Sequence, residues 1–160
     1  MPQSSYYAME STSSKANTPQ PTVRELTDAD RARLEHQRQI VIAELNKRYG
    51  TKALTQSKSD LALLQKLLDD NAFARSQTVE LQSMGVVFGD VLAHELGLRW
   101  VMITDEYGTD PTLLLPGTSE PQCFFNALTM ISKRVEQGRD SNVTWLFGVM
   151  EDQVRQKRAE

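Results

Sequence analysis

The stretch Met84–Trp100, MGVVFGDVLAHELGLRW, decides how this chain is to be read. Leu81, Met84, Phe88, Val91, Leu92 and Leu96 share one broad arc at helical spacing, which predicts a helix over about Ser76 to Leu96. Gly85 and Gly89 lie together at the edge of that arc. An interior glycine costs a helix about 1 kcal/mol relative to alanine, so a pair of them asks for a compensating contact. With no Cβ in the way, another backbone or a large ring can lie directly on the helix. Gly97 then stops the helix, and the apolar period changes from helical to alternating.

After that change, RWVMIT reads as a strand, DEYGTD as a turn and TLLLP as a returning strand. Trp100, Met102 and Thr104 point one way, and Arg99, Val101 and Ile103 the other. Both sides are largely apolar, and a lone two-stranded ribbon is marginal in water, so helices must cover it. Upstream, Thr27 is placed to cap a helix in which Leu34, Val41, Leu45 and Tyr49 form a stripe up to Gly50. A second helix follows, capped by Ser59, with Leu61, Leu64 and Leu68 on one side. Downstream, Phe124, Leu128, Ile131 and Val135 are expected to line one closing helix. Val143, Phe147, Met150 and Val154 line another, capped by Asp140 or Ser141.

The expected fold is therefore α+β. A mostly helical single domain packs around a small antiparallel β-hairpin, in the order α-α-α-β-β-α-α. Its bounds are about residues 26–156, with 157–160 as a flexible tail. Residues 1–25, rich in Ser, Thr, Gln and Pro with no apolar period, read as a disordered arm. The 160 residues have room for one core, and there is no internal repeat.

Composition narrows the chemistry. A net charge of −3 gives no global reason to bind nucleic acid or an anionic membrane. No run approaches the ~18 apolar residues that span a bilayer. The N-terminal stretch has neither a basic region nor an apolar one of secretory type, so a cytoplasmic setting is expected. The single cysteine, Cys123, has apolar neighbours and reads as a small buried hydrophobe. No glycine-rich phosphate loop, CxxC pair or G-x-S-x-G elbow is present, and no cofactor is implied.

His94 and Glu95 begin like a zinc-protease motif, but no second histidine follows one turn later, so no metal site is assigned. Asp90 and His94 stand one helical turn apart, which permits a carboxylate–imidazole contact, the orienting half of a general-base arrangement. Glu95 falls inside the apolar arc near the helix C-terminus, where negative charge is disfavoured. It is expected to turn outward or to pair with a cation such as Arg99. These three, beside Trp100, are the catalytic candidates of a hydrolase or ligand-binding reading.

The hairpin carries the other candidate site. DEYGTD fails the EF-hand pattern, and Gly108 supplies a turn. From Trp100 through Ser132 there is no Lys or Arg, while Asp105, Glu106, Asp110 and Glu120 are all present. The first half instead carries Arg24, Arg31, Arg33, Arg38, Lys47 and Arg48. Trp100, Asp105, Glu106, Tyr107 and Asp110 are thus the candidates for contact with a basic partner protein, of which a toxin would be one kind. Gly85, Gly89 and Gly97 are assigned structural roles. Oligomeric state is not readable from these residues.

Taken in order, G-x-x-x-G-D at Gly85–Asp90, G-x-x-W at Gly97–Trp100, D-E-x-G at Asp105–Gly108 and K-R-x-x-x-G at Lys133–Gly138 form a distinctive series. Over about Leu61 to Met150 the chain resembles the bacterial family known as domain of unknown function 3806. The resemblance implies a bacterial origin and a small α+β domain. It carries no catalytic residues across.

Overall fold

In the computed structural model, which describes residues 21–118 and 121–160, one core is built around the helix that contains the two glycines. The elements are β1 (Thr22–Arg24), α1 (Asp28–Tyr49), α2 (Asp60–Asp69), α3 (Thr78–Leu96), β2 (Arg99–Asp105), β3 (Gly108–Leu115), β4 (Cys123–Phe125), a 3-10 turn (Ala127–Thr129), α4 (Met130–Glu136) and α5 (Val143–Ala159). Residues 1–20 of the expected arm, and Glu120, lie outside the described residues.

The sheet is larger than the expected hairpin. Four antiparallel strands run in the order β1-β2-β3-β4. The hairpin pairs Trp100 with Leu113 and Asp105 with Gly108, leaving Glu106 and Tyr107 as a two-residue tip. On one edge Val23 pairs with Ile103; on the other, Leu114 pairs with Phe124. Thr22–Arg24 thus form an edge strand rather than part of an unstructured arm. Cys123 and Phe124 are strand residues rather than the start of a helix. A ribbon with both sides apolar gains by pairing its free edges as well as by being covered. The tail is corrected too: α5 runs to Ala159, and Arg158 Nη2 donates to the Leu96 carbonyl at 2.7 Å, satisfying the end of α3.

Burial of α3 extends well beyond one arc. Every residue from Ser83 to Leu92 is buried, because α1, α2, α4, α5, the 3-10 turn and Trp100 surround it. A helix covered on all sides has no solvated face to carry charge, which sets the terms for Asp90 below.

The helix ends show where local reading succeeds. Thr27 Oγ1 accepts the Asp30 N–H at 3.1 Å and Asp30 Oδ2 accepts the Thr27 N–H at 2.8 Å, a complete capping box. Gly97, at φ +74°, closes α3 with its N–H on the Ala93 carbonyl. Ser59, however, does not cap α2. Buried Asp60, the first residue of the helix, instead ties down the loop before it, accepting the N–H groups of Thr55 and Gln56 and the Thr55 hydroxyl. Asn142, rather than Asp140 or Ser141, caps α5 through Oδ1 and the Trp145 N–H at 2.8 Å.

The capping box gives a first test. Arg24, with the Thr27 N–H, holds the Asp30 carboxyl far below the usual range. A depressed folded-state pKa stabilises the protein above the unfolded value of roughly 3.9 and loses that contribution as pH falls below it. Thr27→Ala is expected to cost about 1 kcal/mol in urea unfolding at pH 7. Asp30→Asn is expected to flatten the fall in stability below pH 4. An unchanged acid limb would show that Asp30 contributes nothing.

Candidate functional site

Asp90 projects from the buried helix into a contact that its own neighbours do not make. Arg38 reaches it from α1 with a two-point grip, Nε to Oδ2 at 2.6 Å and Nη2 to Oδ1 at 3.0 Å. The Trp100 indole N–H donates to Oδ1 as well, at 3.0 Å. With Asp90 only 7% exposed, its charge is offset by one guanidinium and held by three donors. Gly89 makes this possible. A Cβ there would stand 2.6 Å from Trp100 Cη2, so the indole lies directly on the helix and brings its N–H to the carboxylate. Gly85 performs the equivalent service for backbone: a Cβ there would be 2.8 Å from the Ala127 carbonyl oxygen and closer still to that of Leu128.

The catalytic candidates are not brought together. Both Asp90 oxygens face Arg38 and Trp100, and His94 is exposed. Glu95 is also exposed and does not pair with Arg99, which binds Glu25. Its Oε2 accepts the Lys58 N–H at 2.9 Å, just before α2. A carboxylate disfavoured at the end of its own helix is thus used at the entrance to the preceding one, α2, where unpaired N–H groups attract it. Cys123 is half-buried, and burial pushes its thiol pKa up, away from nucleophilic reactivity.

The hairpin tip is arranged differently. Asp105, Glu106, Tyr107 and Asp110 are all exposed, and Tyr107 retains 76% of its accessible surface. Asp105 Oδ1 accepts the Tyr107 N–H at 2.8 Å, and Gly108 at φ +126° completes the reversal. Because β4 pairs only with Leu113–Leu115, the tip extends beyond it. Trp100 does not join this surface, since its ring is packed on α3. The basic groups of the first half are largely spoken for: Arg24 pairs with Asp30, Arg31 with Asp28, Arg38 with Asp90 and Glu35, and Arg48 with Glu44. Arg33 and Lys47 are exposed and form no ion pair among the described residues.

Among the described residues, no group of three or more His, Cys, Asp or Glu is placed to hold a metal, and no helix is long and apolar enough to cross a membrane. Sequence reasoning missed two clefts that lie among the described residues. The smaller, about 280 Å³, lies beside Arg38 and Asp90 and is also lined by Lys52, Gln56 and Asp60. The larger, about 720 Å³, lies between the end of α2 and the α4–α5 connection and includes Arg75 and Arg139. His94 and Glu95 line neither.

Comparison with family models matches residues 60–147, more than half of the chain, to Domain of unknown function (DUF3806). The chain belongs to that family. The matched span holds α2, α3, the hairpin, α4 and the beginning of α5, hence Gly85, Gly89, Asp90 and Trp100. It leaves out β1 and α1. In this DUF3806 protein the cation that compensates Asp90 thus comes from outside the matched span. No curated protein matches the chain. A crystal structure from Bacteroides thetaiotaomicron VPI-5482 is similar at a TM-score of 0.74 and 14% identity, over 87% of this chain and 50% of that one. The likeness is one of fold, and this chain spans half the length of that protein.

Proposed function

We propose that the protein is a non-enzymatic interaction module that engages a basic protein surface through its hairpin tip. One observation carries this reading: Asp105, Glu106, Tyr107 and Asp110 are exposed together on a tip that projects past β4, in a stretch without Lys or Arg. Rigid strands fix the register of these groups, and an acidic field steers a cationic partner during encounter. Support also comes from the candidate acid–base residues. Asp90 and Glu95 are committed to structural bonds, and His94 stands apart from both clefts.

The test compares the wild-type chain with the triple variant D105N/E106Q/D110N as bait at low and high salt. Capture of a basic protein at low salt is expected to fall about tenfold in the variant, from roughly 0.5 kcal/mol per exposed charge. It should also fade in the wild type as salt rises. The variant should keep its unfolding midpoint, because exposed side chains contribute little to stability. Equal capture by both chains would remove the tip from the function.

A further inference from the structure

The larger cleft has features that the hairpin reading does not use. Its volume of about 720 Å³ lies within the roughly 300–1,000 Å³ typical of small-ligand pockets. Leu68, Phe73 and Val135 give it an apolar wall, and Arg75 and Arg139 its cations. Arg75 reaches across from the α2–α3 loop to Gly138. A Cβ at that glycine would meet Nη2 at 3.0 Å, Cζ at 3.4 Å and Nη1 at 3.5 Å, so the guanidinium lies against bare backbone. Arg134 stands close by, 5.4 Å over the Trp145 ring, with its pKa lowered by burial and by the charge of Arg139.

These arginines differ from most others in the chain. Arg24, Arg31, Arg38, Arg48, Arg99 and Arg155 each form an ion pair, whereas Arg75, Arg134 and Arg139 form none with a carboxylate among the described residues. Of these, Arg75 and Arg139 line the cleft, and guanidinium groups without an ion-pair partner favour an oxyanion, which a planar fork grips at two points. Asp69 and Asp140 also line the cleft, and Asp69 is held by the Gln65 amide at 2.9 Å. Their charges oppose a dianion more than a monoanion. We propose that this cleft binds a small organic carboxylate, its oxyanion bridged by Arg75 and Arg139 and its apolar body against Leu68 and Phe73. Binding there would also relieve the repulsion between Arg139 and Arg134.

The experiment is an NMR titration of the full chain with phenylacetate, phenyl phosphate and neutral phenylacetamide. Phenylacetate is expected to give saturable shifts in the backbone amides of residues 138–142 and in the Nε–H signals of Arg75 and Arg139. Arg75→Ala and Arg139→Ala should each weaken binding about tenfold, with Arg75→Gln as a second variant, while Arg155→Ala leaves it unchanged. Absence of saturable shifts at millimolar phenylacetate would overturn the proposal. So would an equal response to phenylacetamide, tighter binding of phenyl phosphate, or indifference to both arginine substitutions.

Discussion

Gly85→Ala is expected to lower the stability of the protein by about 3 kcal/mol, although alanine is the better helix former by about 1 kcal/mol. The reason is the nature of the obstacle. The new methyl group would stand 2.8 Å from the carbonyl carbon of Leu128, and what it meets is backbone rather than the end of a flexible side chain. That backbone cannot step aside. Ala127 and Leu128 are themselves buried, and the preceding strand is tied down where Thr112 Oγ1 donates to the Phe125 carbonyl at 3.0 Å. Relief therefore requires α3 and the 3-10 turn to separate, and overpacking of this kind costs 1–3 kcal/mol or somewhat more. Gly89→Ala should cost less, about 2 kcal/mol, because the Trp100 ring can swing away at the expense of its bond to Asp90. Gly148→Ala on α5 supplies the control: nothing lies within 4 Å of its Cβ position, so the same substitution there should stabilise by up to about 1 kcal/mol. Urea unfolding followed by circular dichroism measures all three. A Gly85→Ala loss no larger than the Gly148→Ala change would contradict the close approach on which the fold depends.

The same glycines mark the limit of what local sequence can say. Their spacing announced that something must lie on α3, and the change of period at Gly97 placed the hairpin, because both signals sit within a few residues of their cause. Cys123–Phe125 were misread for the opposite reason. Phe124, Leu128, Ile131 and Val135 keep helical spacing, while the strand is three residues long, too short for alternation to show. Thr22–Arg24 are equally short. At the site, the turn between Asp90 and His94 suggested a partner that a more distant one displaced. Arg38 did leave a trace: it falls on the same side of α1 as buried Leu34, Val41 and Leu45, and a cation on an inward face demands an anion. Asp90 was the anion, but nothing in either helix names the other. The larger cleft left no trace at all, since its arginines come from separate loops and are brought together only by the packing of α2 against α5.

Removing Arg38 should be the most damaging single side-chain truncation at the site, costing about 3–5 kcal/mol. Arg38→Ala leaves the Asp90 carboxylate nearly inaccessible with the indole N–H of Trp100 as its remaining partner there, and a buried charge without its counterion is far more expensive than the pair was favourable. Asp90→Asn is milder, because the Arg38 side chain is 18% exposed and retains Glu35 at 3.3 Å. About 1–2 kcal/mol is expected. Arg38→Lys restores charge but not the two-point grip, and should fall between the two. The double variant Arg38→Ala, Asp90→Asn, set against the two single variants, then separates a structural pair from independent residues. If the guanidinium serves mainly to neutralise Asp90, its loss matters little once the carboxylate is gone, and the cycle shows a coupling of at least 2 kcal/mol. Effects that simply add would mean that Arg38 acts by packing alone, leaving Asp90 stabilised by Trp100 and by solvent from the smaller cleft. In that case a proton-accepting role for Asp90 would return to consideration. Strong coupling instead locks Asp90 as the charged pin that fastens α1 to the DUF3806 core, where proton transfer would cost the fold its anchor.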